Sequence, residues 1–150
     1  MAHKDDAAAR VHLSTEIPDL EAILQLYDSV GWTAYTRDPE RLQRAIAAST
    51  WTVSAWDEGL VGFARVLSDD EHIAWLQDIL VAPTHHRQGI GRKLMTAARE
   101  RFAHVRSMAL MTDDRPEQHA FYASLGFADT QLLKRTSLHT FVRMVGVELE

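Results

Sequence analysis

One segment constrains this chain more than any other: Val81-Ala-Pro-Thr-His-His-Arg-Gln-Gly-Ile-Gly-Arg-Lys93. It follows a run from Ile73 to Val81 in which almost every residue is apolar, the pattern of a central strand covered on both faces. Helical spacing opens around Gln88 and runs to about Ala103, with Leu94, Ala98 and Phe102 on one stripe. Between strand and helix stand Gly89 and Gly91. Small residues let a backbone approach a ligand closely and take turn dihedrals closed to side chains. A helix start adds unpaired N–H groups and the positive end of its dipole. Together these make a site for a phosphate or pyrophosphate. His85, His86, Arg87, Arg92 and Lys93 put positive or titratable groups at its rim.

Two familiar phosphate loops do not match. A P-loop needs G-x-x-x-x-G-K-S/T, which neither glycine begins or ends. A dinucleotide fingerprint needs a third small residue where Leu94 stands, and no βαβ start precedes it.

The remainder of the chain reads as one α/β unit over residues 1–150, in the order β-α-α-β-β-β-α-β-α-β-β with a mixed sheet. Val11 to Ser14 forms a first strand. Leu20, Ile23, Leu24, Tyr27 and Val30 mark a helix after Pro18, ended by Gly31, and a loop with Trp32 and Tyr35 follows. Asp38-Pro39 opens a second helix carrying Leu42, Ala45 and Ile46. Trp51, Val53 and Ala55 alternate with polar residues, Asp57-Glu58-Gly59 is turn chemistry, and Leu60 to Leu67 returns as a hairpin partner. After the glycine helix come a strand from Met108 to Thr112 and a helix from Pro116 to Leu125. Gly126 stops that helix, Phe127 enters another strand, and Leu138 to Leu149 forms a last one.

Composition narrows the function. The chain has 150 residues, of which 46% are hydrophobic, and a formal net charge of -5 with no long basic run, so nucleic acid is a poor partner. The absence of cysteine excludes disulfides, thiolate metal sites and a cysteine nucleophile, and fits a cytoplasmic location. Met1 to Asp6 reads as a frayed polar start without the apolar core of a signal peptide, and no run reaches membrane-spanning length. Eight histidines are present, but the His85-His86 pair cannot share a helix face and no H-E-x-x-H spacing occurs; no metal is expected.

Two motifs in order resemble those of the GNAT superfamily of acyl-CoA N-acyltransferases. The first is Ile79-Leu-Val-Ala-Pro83 followed by His86-Arg-Gln-Gly-Ile-Gly91, similar to the family's Q/R-x-x-G-x-G/A loop after a strand. The second is Phe121-Tyr122-Ala-Ser-Leu-Gly-Phe127. The resemblance covers roughly Leu60 to Phe127. His86 stands where the family has Gln or Arg, and Arg115 where it often has Asn. A cradle built from backbone N–H groups depends on neither.

The resemblance implies direct transfer of an acetyl group from acetyl-CoA to a primary amine of a small molecule or a protein. It implies that backbone N–H groups near Ile79, Leu80 and Val81 bind the acyl carbonyl and pantetheine. His86, Arg87, Gln88, Gly89, Ile90, Gly91 and Arg92 would hold the pyrophosphate. Tyr122 matches the family tyrosine that protonates the leaving thiolate. An alkyl ammonium near pKa ~10.4 must lose a proton before it attacks. Asp78, a lone carboxylate in the central strand, is a candidate base, raised by burial, or else a hydrogen-bonded structural carboxylate. Glu71, His72 or a water chain are alternatives. Trp32 and Tyr35 are placed to line the acceptor pocket. A non-catalytic acyl-CoA sensor would keep the glycine turn and need no acid or base, and a homodimer stays open as the assembly state.

Overall fold

The structure, a computed structural model, describes residues 10–149, so the polar start lies outside the described residues. These residues fall into two compact units, divided after Met111.

The first unit holds a five-stranded mixed sheet. Its strands are β1 (His12–Ser14), β2 (Trp51–Asp57), β3 (Gly59–Ser68), β4 (Ile73–Val81) and β5 (Ser107–Leu110), in the order β1-β2-β3-β4-β5. The first four pair antiparallel, and β5 joins β4 in parallel. Helices α1 (Leu20–Ser29), α2 (Thr33–Thr36) and α3 (Pro39–Ala47) precede β2, and α4 (Ile90–Arg101) links β4 to β5. Local chemistry sets the helix starts. Asp19 caps α1 by accepting from the Ala22 N–H, and Asp38 caps α3 by accepting from the Arg41 N–H, with Pro39 in the first turn. The short α2 occupies the stretch expected to be loop. Thr36 Oγ1 ties it to Asp28 Oδ1 at 2.6 Å.

Strand alternation sends β3 in two directions. Phe63 and its partner Leu80 join Ile23, Leu26, Tyr27, Leu42 and Ile46 in one buried cluster on the α1 and α3 side. Gly62 faces the other way, toward α4. A Cβ there would sit 3.1 Å from Ile90 Cγ2, 3.1 Å from Leu94 Cδ1 and 3.3 Å from Ala55 Cβ. The missing side chain is what lets α4 lie against the sheet.

The second unit, described from Thr112 to Leu149, carries α5 (Pro116–Ser124) and a single 3-10 turn (Thr130–Leu132). The two strands expected from Phe127 and from Leu138 to Leu149 are not formed there. Alternating apolar residues make a strand only against a partner edge and a buried face. This unit has no strand among its described residues to supply that edge, and Phe141 and Val145 are 95% and 89% exposed.

The turn between β3 and β4 hangs on Asp69. Its Oδ1 accepts from the N–H groups of Glu71 (3.0 Å), His72 (2.8 Å) and Ile73 (3.0 Å). These backbone donors, Ile73 foremost, pull the carboxyl down to about 2. A pKa below the unfolded value of ~3.9 gives stability that is present above that value and lost as pH falls toward 2. Asp69→Asn should therefore lower the urea midpoint at pH 7, with the gap to the parent closing as pH falls below about 4. A Gly62→Leu variant should lose roughly 1–3 kcal/mol through overpacking, read as a lower urea midpoint at unchanged m-value.

Candidate active site

Strand β4 is nine residues long and β5 only four. Their register ends at Leu76↔Leu110, two residues short of the Thr112 expected as the end of β5. From Asp78 to Val81, β4 keeps β3 on one side and, among the described residues, has no paired strand on the other; Gln77 is the extra residue at the bulge between Asp78 and Leu76. The Ala82 N–H donates to the Val61 carbonyl at 2.8 Å. Antiparallel alternation then turns the backbone of residues 82 and 80 toward β3, and that of Ile79 and Val81 toward the open edge. The Val81 carbonyl does point away from β3, since it accepts from His86 Nε2 at 2.8 Å. Of the three backbone positions expected at the acyl carbonyl, Ile79 and Val81 face this edge. Leu80 instead directs its backbone to β3 and its side chain into the α1 cluster.

The open edge runs straight into the glycine loop. Pro83–His85 forms a 3-10 turn. His85 is held between Thr84 Oγ1 (2.8 Å) and Asp57 Oδ2 (2.9 Å), which fastens the loop to the end of β2. Arg87 and Gly89 take left-handed φ values of 62° and 77°. Gly89 is the N-cap of α4, so the helix starts at Ile90 rather than Gln88, and the Lys93 N–H makes its bond to the Gly89 carbonyl at 3.0 Å. The amides of the first turn have no acceptor within the helix. A Cβ on Gly89 would meet nothing within 4 Å, so the space before the helix end is clear. Arg87 and Arg92 are exposed beside it. Backbone donors and the positive end of the helix dipole thus meet in open space at the head of α4, the arrangement that suits an anion.

On the helix-covered face of β4, Asp78 is 2% exposed and accepts three hydrogen bonds. Its Oδ2 accepts from Arg65 Nε at 2.5 Å and from the Tyr27 hydroxyl at 2.8 Å. Its Oδ1 accepts from the Tyr35 hydroxyl at 2.8 Å. Burial works against the Arg65 charge, but the Asp78 carboxylate outweighs it and holds the guanidinium above its ordinary range. Burial first, then the Asp78 charge, raises both phenols, which stay protonated donors. Tyr35 is half-buried, and its oxygen accepts from Gln77 Nε2 at 3.3 Å. The Trp32 ring lies edge-on to Tyr27 at 5.8 Å and tilted against Tyr35 at 6.1 Å. Trp32, Tyr35 and Asp78 are therefore brought together. Glu71 and His72 stand exposed in the turn at the opposite end of β4.

Arg65 and Tyr27 are the residues that sequence reasoning passed over. A signal for Arg65 was there: it is the one charge in the apolar run Leu60 to Leu67, as Asp78 is in β4, and register makes them direct partners. Tyr27 read simply as part of a helix stripe.

Tyr122 belongs to the second unit. It is buried on α5, with Phe121 at 5.1 Å and Phe127 at 6.1 Å between ring centroids. Burial, then the charge of Asp113, raises its hydroxyl above the ordinary tyrosine value. The group carries its proton throughout the physiological range. The Phe127 N–H returns to the Tyr122 carbonyl at 3.1 Å, past Gly126 at φ 87°. Arg115 is held by Asp113 at 2.8 Å.

The acetyltransferase (GNAT) family model matches residues 17–127. The uncharacterized N-acetyltransferase ycf52 of Gracilaria tenuistipitata var. liui is 33% identical over 116 residues, covering 73% of this chain. The chain spans 62% of that relative's length. A GNAT-family acetyltransferase from Streptococcus pneumoniae TIGR4 superposes with a TM-score of 0.75 at 31% identity, covering 89% of this chain and 99% of that one. A GNAT-family protein from Xanthomonas campestris pv. campestris gives 0.66 at 31% identity, over 84% of this chain and 92% of that one. With its mixed sheet, glycine-capped helix and matched sequence from residue 17 to 127, the chain belongs to the GNAT family of acetyltransferases.

Proposed function

We propose that this protein transfers an acetyl group from acetyl-CoA to a primary amine of a small molecule or a protein, by direct attack. The observation that carries the reading is the continuity between the open edge of β4 and the glycine-capped start of α4. A thioester conjugated to a pyrophosphate needs an amide edge at one end and an anion cradle at the other. Ile79 and Val81 offer the amides, and the turn from His86 to Arg92 offers the cradle. Residues 1–150 would act as one catalytic domain. Among the described residues no helix is long and apolar enough to cross a membrane, and we place the reaction in the cytoplasm.

In this reading the acyl carbonyl lies against the open edge, where fixed N–H donors meet the charge that develops on its oxygen. The amine attacks after losing its proton to water. Both Asp78 oxygens are already occupied by donors, and Glu71 and His72 stand at the far end of the strand. Collapse of the adduct expels a thiolate that takes the Tyr122 proton, and the proton the adduct nitrogen sheds on becoming an amide restores the phenol through solvent. With a phenol at ~10 and a thiol at ~8.5, full transfer is uphill by roughly 2 kcal/mol, within reach of hydrogen bonding to the thiolate. Burial, which raises the phenol, raises a thiol in apolar surroundings as well.

Incubating the protein with acetyl-CoA and a panel of primary amines should release CoA thiol with at least one acceptor. Tight CoA binding without turnover on any amine would instead support a sensor. Tyr122→Phe should lower kcat by about 10²–10⁴-fold while leaving the Kd for acetyl-CoA unchanged by calorimetry. Gly89→Ala forces a side chain into left-handed backbone at about 1–2 kcal/mol, and should weaken CoA binding more than it changes the amine KM.

A further inference from the structure

The Arg65–Asp78 pair is an expensive object to bury. Replacing such a pair by apolar residues is often neutral or stabilising, so its presence asks for a role other than holding the fold. The geometry supplies one. Four elements converge on a single carboxylate: Tyr27 from α1, Tyr35 from α2, Arg65 from β3 and Asp78 itself on β4, with Arg65 Nη1 also reaching Ser49 Oγ at 3.4 Å. Tyr35 spends its one proton on Asp78. Towards any further group its oxygen acts only as an acceptor. It meets one neutral donor, Gln77 Nε2, at a long 3.3 Å. Gln77 is also the residue at which the open edge of β4 begins. A hydrogen-bond acceptor beside the start of an amide-lined edge suits an incoming N–H group.

We propose that Arg65 and Tyr27 are positioning residues for amine transfer: they clamp Asp78 so that the Tyr35 oxygen is presented as the acceptor for the amine's N–H. Asp78 sets the orientation of Tyr35 and takes no proton from the amine. The Trp32 ring, packed against Tyr35, limits how that phenol can swing. This inference rests on the acyltransferase reading.

The test compares steady-state kinetics of the full chain and three variants, with acetyl-CoA and an amine the parent accepts. Tyr35→Phe should raise the amine KM about tenfold, with kcat and the acetyl-CoA KM nearly unchanged. Asp78→Asn should raise the amine KM as well, and leave the acid limb of the kcat/KM pH profile where it was. Arg65→Lys, which keeps the charge and loses the guanidinium fork, should fall between Asp78→Asn and the parent. Loss of the acid limb in Asp78→Asn would make Asp78 the base and overturn the proposal. An unchanged amine KM in Tyr35→Phe would overturn it too. Tyr35 is half-exposed and keeps its ring in that variant, so it decides the matter if the buried-pair variants do not fold. A parent that turns over no amine removes the acyltransferase reading and this inference together; turnover by the parent with an unaltered Tyr35→Phe removes only the latter.

Discussion

A strand nine residues long lies beside a parallel neighbour of four, and the site follows from that mismatch. Backbone N–H and C=O groups in a sheet must be paired or solvated, since burying them unpaired is costly. Where β5 stops at Leu110, the β4 edge from Gln77 onward is left to find other partners. His86 takes the Val81 carbonyl, and the amides of Ile79 and Val81 face outward. The Gly62 notch settles α4 against the sheet, and α4 in turn fixes where the glycine cap stands relative to that edge.

One strand serves two kinds of chemistry because its backbone and its side chains point in perpendicular directions. In the plane of the sheet, alternate residues of β4 offer amides. Out of the plane, Asp78 reaches into the helical layer and gathers two phenols and a guanidinium. Neighbouring residues 78 and 79 thus face different surroundings without competing for space.

The fold was legible wherever periodicity and turn chemistry agreed. The β2–β3 hairpin, the Asp38-Pro39 helix start and the glycine-turned helix show both signals, and all formed. The tail failed because Phe141, Val142, Met144, Val145 and Val147 supply strand-forming residues, while pairing needs a partner edge that no local pattern announces. In the site, the loop from His86 to Arg92 was legible because backbone geometry demands glycine there. The division of labour along β4 was not, because which amide faces which neighbour is a property of register. Asp78 stood out as a lone carboxylate, yet its partners come from three other elements, at sequence separations of 13, 43 and 51.

The charge balance of the buried cluster has its own consequence. Arg65 and Asp78 cancel, so what they project toward Tyr35 is a dipole, whose influence fades within a few ångströms. The head of α4, with Arg87 and Arg92 exposed beside it, presents the positive end of a helix dipole to solvent, where salt screens it over about 8–10 Å at ordinary ionic strength. The field at the head of α4 therefore responds to ionic strength. Around Asp78 the field is that of a buried dipole, felt only on contact and little altered by the salt outside.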